Sequence, residues 1–211
     1  MKPALLVLVW LTMVASISPA RAQSGDILQP RNGLSVDEHI ARELQERRGV
    51  VIIDAMLMEP SITGGLTRCG FPAATLAQTP NKDAPTKTVR GSVDAGGGKV
   101  LFGGITSLPP GEHLLLTIAC SNLNTSYNGP HAKFQVRAGE IVNVGTFRLD
   151  HKSDGLFSLT GNMYRSVQDL SPEVVDFLKS RAPRAMAKVV KRSMTMLGPA
   201  DTATRTRIQS P

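Results

Sequence analysis

The sequence predicts a mainly β chain, an antiparallel β-sandwich of about seven strands with one helix before it and a helical pair after it. Two observations carry this expectation. Between residues 50 and 168, apolar residues alternate or form short blocks bounded by Gly- and Pro-rich turns. On either side, at 35–49 and 171–194, the apolar spacing changes to that of helices.

The chain opens with MKPALLVLVWLTMVASISPARA, which reads as a secretory leader. Lys2 supplies the basic start, Ala4 to Val14 the apolar stretch, and Ala20-Arg21-Ala22 the small residues of a cleavage site. The apolar stretch falls short of the about 20 residues a spanning helix needs, and no later stretch reaches it. Cleavage after Ala22 predicts a periplasmic or secreted protein without a transmembrane span. It removes Lys2 and Arg21 from 24 basic residues against 17 acidic ones, leaving a formal charge of +5. That excess permits attraction to acidic surfaces without identifying nucleic acid. The only Trp, Trp10, leaves with the leader, so few aromatics remain for stacking on bases or sugars.

Residues 23–49 form a linker and a helix. Ser35 and Glu38 have capping-box spacing, and Gly49 supplies a stop. Val36, Ile40 and Leu44 make the apolar stripe, Glu43 and Arg47 are spaced for an ion pair, and His39 faces solvent. Val50 to Glu59 reads as a well-covered strand. CGFPAATLAQ reads as a short strand, and Gly96-Gly97-Gly98 as a turn before a strand over Lys99 to Ile105. No GK[ST] follows those glycines, so they are not read as a phosphate cradle.

Pro109-Pro110-Gly111 is a turn. Alternation after it places Leu114, Leu116, Ile118 and Cys120 on one face, with His113, Leu115, Thr117 and Ala119 on the other. In the next strand Phe134, Val136 and Ala138 form the buried row. In IVNVGTFRL, Val142 and Val144 have one parity and Phe147 and Leu149 the other, which predicts a β-bulge near Gly145. GLFSLTGNMYR is the last strand. Ser171 caps a helix that begins at Pro172, with Leu170 and Val175 as a staple and Val174 and Leu178 on its apolar face. A second helix is expected over Arg184 to Met194, within a helical region at 169–197. Residues 198–211 are expected to be a disordered tail.

Two cysteines in an exported chain predict a Cys69–Cys120 disulfide. A catalytic thiol would need a base and an electropositive setting, and no flanking pattern supplies them. The histidines His39, His113, His131 and His151 are the candidate bases or metal ligands. No HExxH or CxxC spacing accompanies them, so neither a metal nor a cofactor is expected. The basic residues Arg181, Arg184, Lys188, Lys191 and Arg192 are the candidate binding surface, a ridge on the last helix.

The stretch FGGITSLPPGEHLLLTIAC, through Phe102, Ile105, Leu108, Pro109-Pro110-Gly111 and the leucines after them, resembles carboxypeptidase-regulatory-like modules. These are small prealbumin-like (transthyretin-like) β-sandwiches. FQVRAGEIVNVGTFRL and the terminal DLSPEVVDFLKSRAPRAMAKVVKRSM are similar to segments of small exported bacterial proteins of uncharacterised function. His113 stands where that family usually has an aromatic. The resemblance implies an accessory, adhesive or binding module with an envelope protein as partner. One alternative is association with an anionic envelope surface through the basic ridge; another is a hydrolase or metal-dependent enzyme using His113 and His131. Tyr164-Arg165-Ser166 is similar to the Tyr-Arg-Gly-Ser end of prealbumin-like hydrolases but lacks the Gly.

Overall fold

The computed structural model describes residues 27–28, 33–60, 65–69, 72–79, 87–90, 92–93, 101–102, 104–120, 125–153, 161–198 and 204–207. The expected leader and the Gly96-Gly97-Gly98 turn lie outside these residues.

Helix α1 (Val36–Gln45) leads into the long strand β1 (Gly49–Pro60). Next come β2 (Leu66–Arg68), β3 (Pro72–Gln78), β4 (Lys87–Arg90), β5 (Ser92–Val93), β6 (Leu101–Phe102) and β7 (Gly104–Leu108). Three long strands follow, β8 (Gly111–Cys120), β9 (Thr125–Val136) and β10 (Ile141–Ser153), and then β11 (Gly161–Gln168). Helices α2 (Pro172–Arg181) and α3 (Pro183–Met186) precede the short strands β12 (Val190–Lys191), β13 (Thr195–Met196) and β14 (Thr204–Arg207).

Two sheets form a sandwich-like, mainly β fold. Sheet 1 runs β11-β10-β1-β2, with β7 also on β1 and β12 on β10. Sheet 2 runs β13-β9-β8-β3-β4, with β14 also on β9, and β5 and β6 make a separate ribbon. Sheet 1 is mixed rather than wholly antiparallel, because β1 and β10 pair in parallel from Val50↔Ile141 to Met58↔Asp150, and β12 pairs in parallel with β10; the described pairings of sheet 2 are all antiparallel.

The core between the sheets takes Val51, Ile53, Ala55 and Leu57 from β1 and Leu76, Leu115, Ile118 and Phe134 from sheet 2. Val142, Val144, Phe147 and Leu149 all join it despite their conflicting parity. The register explains how. Ile52 pairs with Asn143 and Ile53 with Gly145, leaving Val144 as the extra residue of a bulge. Gly145 has φ +86°, and a Cβ there would lie 2.5 Å from the Gln168 carbonyl oxygen, so glycine is required.

A second bulge overturns the face expected for His113. In β8, Leu115 pairs with Leu76 and Thr117 with Thr75, so Leu116 is the unpaired residue. His113 and Leu115 therefore face the core on the same side as Ile118 and Cys120. A regular strand would have left Leu115 outside, and the bulge keeps both inward pairs buried.

The other face of sheet 1 is covered by helices. Ile40 and Val36 of α1, Leu170 before α2, Val174 and Leu178 of α2 and Ala185 of α3 pack with Val50, Ile52, Ile105 and Ile141. Ser35 and Glu38 form the capping box in both directions, and the Ser171 hydroxyl accepts from Val174 N–H at 3.4 Å. Helix α1 ends earlier than expected, with Glu46 as its C-cap and Arg47 in the left-handed region at φ +57°, and Gly49 already belongs to β1. Glu43 pairs with Arg48 at 3.2 Å instead of with Arg47. His39 is half-buried, 3.6 Å from Glu43.

The helix expected over Arg184 to Met194 stops after Met186. The following chain is drawn out along an open strand edge, since β11 joins β10 only from Thr146 onward. Arg192 N–H donates to Asn143 O and Met194 N–H to Val144 O, both at 2.9 Å. Pairing an open edge satisfies backbone groups that a free helix would leave the sheet to lose. Residues 204–207 form a strand on β9, so they are not part of a disordered tail; the rest of that tail lies outside the described residues.

Candidate functional site

The groups with the greatest chemical potential lie inside the sandwich. Counting inward positions along β1 from Val51 through Leu57 reaches Glu59, a carboxylate only 3% exposed. Its Oε1 accepts from the Tyr127 hydroxyl at 2.7 Å and from Thr125 Oγ1 at 3.3 Å. Its Oε2 lies 3.2 Å from His151 Nδ1, which donates to it. The parallel β1–β10 register brings Glu59 beside His151, and β9 supplies Tyr127 and Thr125 from the opposite sheet. Removing any one donor would leave buried polar groups short of partners.

The Cys69–Cys120 disulfide closes the same end, with a Cα separation of 5.9 Å. Cys69 N–H donates to Leu57 O at 2.8 Å, and Cys120 pairs in register with Thr125. The bridge ties the residue after β2 to β8, while the Glu59 carboxylate ties β1 to β9 and β10.

His113 is 2% exposed, with Nε2 2.8 Å from Pro109 O and its ring stacked 5.7 Å from Phe134. A carbonyl only accepts, so Nε2 carries the proton. Burial pulls its pKa below the usual histidine value, opposed by that hydrogen bond. His131 is fully buried, donates from Nε2 to Tyr127 O at 3.0 Å and lies 5.5 Å from the Phe147 ring. Burial lowers its pKa, the hydrogen bond opposes this, and the positive charge of Arg165 lowers it further. His131 and His151 both contact Tyr127, whereas His113 contacts Pro109 and Phe134. Among the described residues, no group of three or more His, Cys, Asp or Glu side chains is arranged to hold a metal ion.

The five basic candidates do not form one helical ridge. Arg181, Arg184 and Lys188 are exposed near the ends of α2 and α3, with Arg181 5.6 Å from the Phe177 ring. Lys191 lies in β12, 2.7 Å from the Asp169 carboxylate. Arg192 grips Glu140 with two hydrogen bonds of 2.7 and 3.2 Å. The last two neutralise carboxylates and tie the extended segment down, which corrects the expected ridge.

The outer face of sheet 2 is of a different kind. The alternation of β3 and β8 places Ala73, Thr75 and Ala77 beside Leu114, Thr117 and Ala119, with Leu116 at the bulge. All are partly exposed, and the helix-borne cluster of apolar residues includes none of them. Lys133 and Glu112, paired at 3.1 Å, mark one end. Between that pair and Ala119, the β3 and β8 residues named here are uncharged and offer a contact area of leucine, alanine and threonine. Leu114 and Leu116, expected in the core row with Cys120, are moved to this face by the Leu116 bulge, whereas Thr117 and Ala119 lie on the face opposite Cys120 as expected. Family models, curated proteins and solved structures give no match to this chain. No helix among the described residues is long and apolar enough to cross a membrane.

Proposed function

We propose that the protein is an exported, non-enzymatic module of the bacterial envelope, a prealbumin-like sandwich of the carboxypeptidase-regulatory-like kind, that binds another protein through the outer face of sheet 2. One observation supports this most: the imidazoles of His113, His131 and His151, the Glu59 carboxylate and both sulfurs are buried, while Leu114, Leu116 and their small neighbours remain partly exposed outside. Apolar, uncharged contact area at the centre of a face suits protein association. The disulfide and the absence of a spanning helix among the described residues are compatible with export.

The test is affinity capture from native envelope extract with the wild type and Leu116→Glu. The expected result is a specific protein held by the wild type and lost from the variant, with both folded by circular dichroism. Equal capture by both would overturn this assignment of the face.

A second reading, association with anionic lipid or lipopolysaccharide, rests on the exposure of Arg181, Arg184 and Lys188. It requires binding to anionic vesicles that weakens with salt, since exposed charges are screened over about 10 Å at 0.1 M salt. Salt-independent binding would contradict it.

A further inference from the structure

The segment 187–198 is an extended strap that joins the two sheets along one side. Its β12 part pairs with β10 of sheet 1 through Val142↔Val190 and Asn143↔Lys191. Met194 then buries its side chain in the core between the sheets. Its β13 part pairs with β9 of sheet 2 through Thr195↔Lys133 and Met196↔Ala132, and Leu197 N–H donates to the His131 carbonyl at 3.0 Å. Strand β14 continues along β9 from Asn128 to Thr125. The strap therefore occupies backbone that β9 would otherwise present as an open edge.

His131 sits where β9 changes register, between the residues paired to β13 and those paired to β14. With the Nε2 proton given to Tyr127 O, its Nδ1 is a bare lone pair, buried and without a hydrogen-bond partner among the described residues. A neutral ring tolerates this position. Protonation would add an N–H donor with nothing to accept it and a positive charge where burial already disfavours one.

Among the described residues the surroundings supply no free acceptor. Phe147 of β10 lies against the ring, and β11 contributes the cation Arg165. The carboxylate of this interior, Glu59 of β1, is engaged by Tyr127, Thr125 and His151 of β10. The strap itself brings Lys191 and Arg192, both bound to carboxylates. On β9 the neighbouring Lys133 pairs with Glu112.

We propose that His131 is an acid-sensitive latch: its protonation opens the register change of β9 that it holds and releases the strap from the β9 edge, while the rest of the sandwich stays folded. The sign follows from linkage. The closed form holds the ring neutral, and the open form takes up a proton with an ordinary pKa of about 6.5. Opening therefore becomes up to about ten-fold more favourable for each pH unit below that value, until the closed form also protonates.

The experiment is hydrogen exchange on the intact protein between pH 7.5 and 4.5, corrected for the intrinsic pH dependence of exchange, with His131 followed by NMR. Amides of 190–197 should lose protection by about ten-fold or more as the pH falls, while β1 remains protected. The loss should coincide with the His131 titration. His131→Gln, which keeps a donor for Tyr127 O and cannot titrate, should hold the strap at constant protection. His113→Gln should release it as the wild type does. Constant protection in the wild type, joint loss of β1 and the strap, or a strap transition that does not track the His131 titration would each overturn the latch. An unchanged transition in His131→Gln would do the same. The wild-type comparison decides the question even if a variant fails to fold.

Discussion

The two sheets present opposite answers to the same problem, that of an outer face left over once the core is filled. On sheet 1 that face carries Val50, Ile52, Ile105 and Ile141, and three helices bury it. On sheet 2 it carries Ala73, Thr75, Ala77, Thr117 and Ala119, with Leu114 and Leu116 among them, and no described helix packs its apolar stripe there. Residue size explains the difference. Burying a Val, Leu or Ile contributes about 1.5–3 kcal/mol, so a row of branched residues repays the ordering of a helix. A row of Ala and Thr offers far less, and its two leucines suit a partner better than they would hold a helix of this chain.

Breaking what the two faces share should have the largest effect. Replacing Cys69 and Cys120 with Ala should cost roughly 4 kcal/mol in the loop-entropy account, measured by urea unfolding, and destabilise both sheets together. Next, Leu178→Ala under the helical cover of sheet 1 should cost about 3 kcal/mol, because Leu178 is fully buried. Leu116→Ala on the other face should cost no more than about 1 kcal/mol in the same assay. Equal losses would erase the distinction between the faces.

Acid should weaken the interior before either face. His113 and His131 both have pKa values lowered mainly by burial, so the unfolded chain binds protons more readily than the folded one. Their contribution is at its full value above a pH of about 6.5 and declines as the pH falls from there towards the folded values, by at most about 1.4 kcal/mol per pH unit for each ring. Unfolding at pH 7.5 and 5 in the wild type and in His113→Gln measures this; an identical acid loss in the variant would remove His113 from the account. A similarly small effect should come from the cap of the helical cover. Ser171→Ala should lower stability by about 1 kcal/mol and leave sheet 2 unaffected, read by hydrogen exchange of β8 against α2.

How far the sequence reveals this arrangement depends on whether a deviation leaves a mark. The Gly145 bulge is legible because two Val and two hydrophobic residues of opposite parity flank a glycine, and only an extra residue reconciles them. The Leu116 bulge carries no such mark. Leucines at 114, 115 and 116 fit either face, so His113 is read as outward although it packs in the core. Glu59 is different again: it ends an apolar run that reads as covered on both faces, and its partners come from β9 and β10 and appear only when those strands meet. The segment after Met186 has helical spacing in isolation. Its strand pairing depends on the open part of β10, a tertiary circumstance that local spacing does not encode.

The central claim is that the small-residue face of sheet 2, and not the helical side, receives the partner. Binding of the captured protein to Thr117→Lys and to Lys188→Glu, each checked for folding, tests it most directly. The account predicts that Thr117→Lys weakens binding at least ten-fold while Lys188→Glu leaves it unchanged. Loss in Lys188→Glu with full binding by Thr117→Lys would contradict it and place the interaction on the basic corner of the helices.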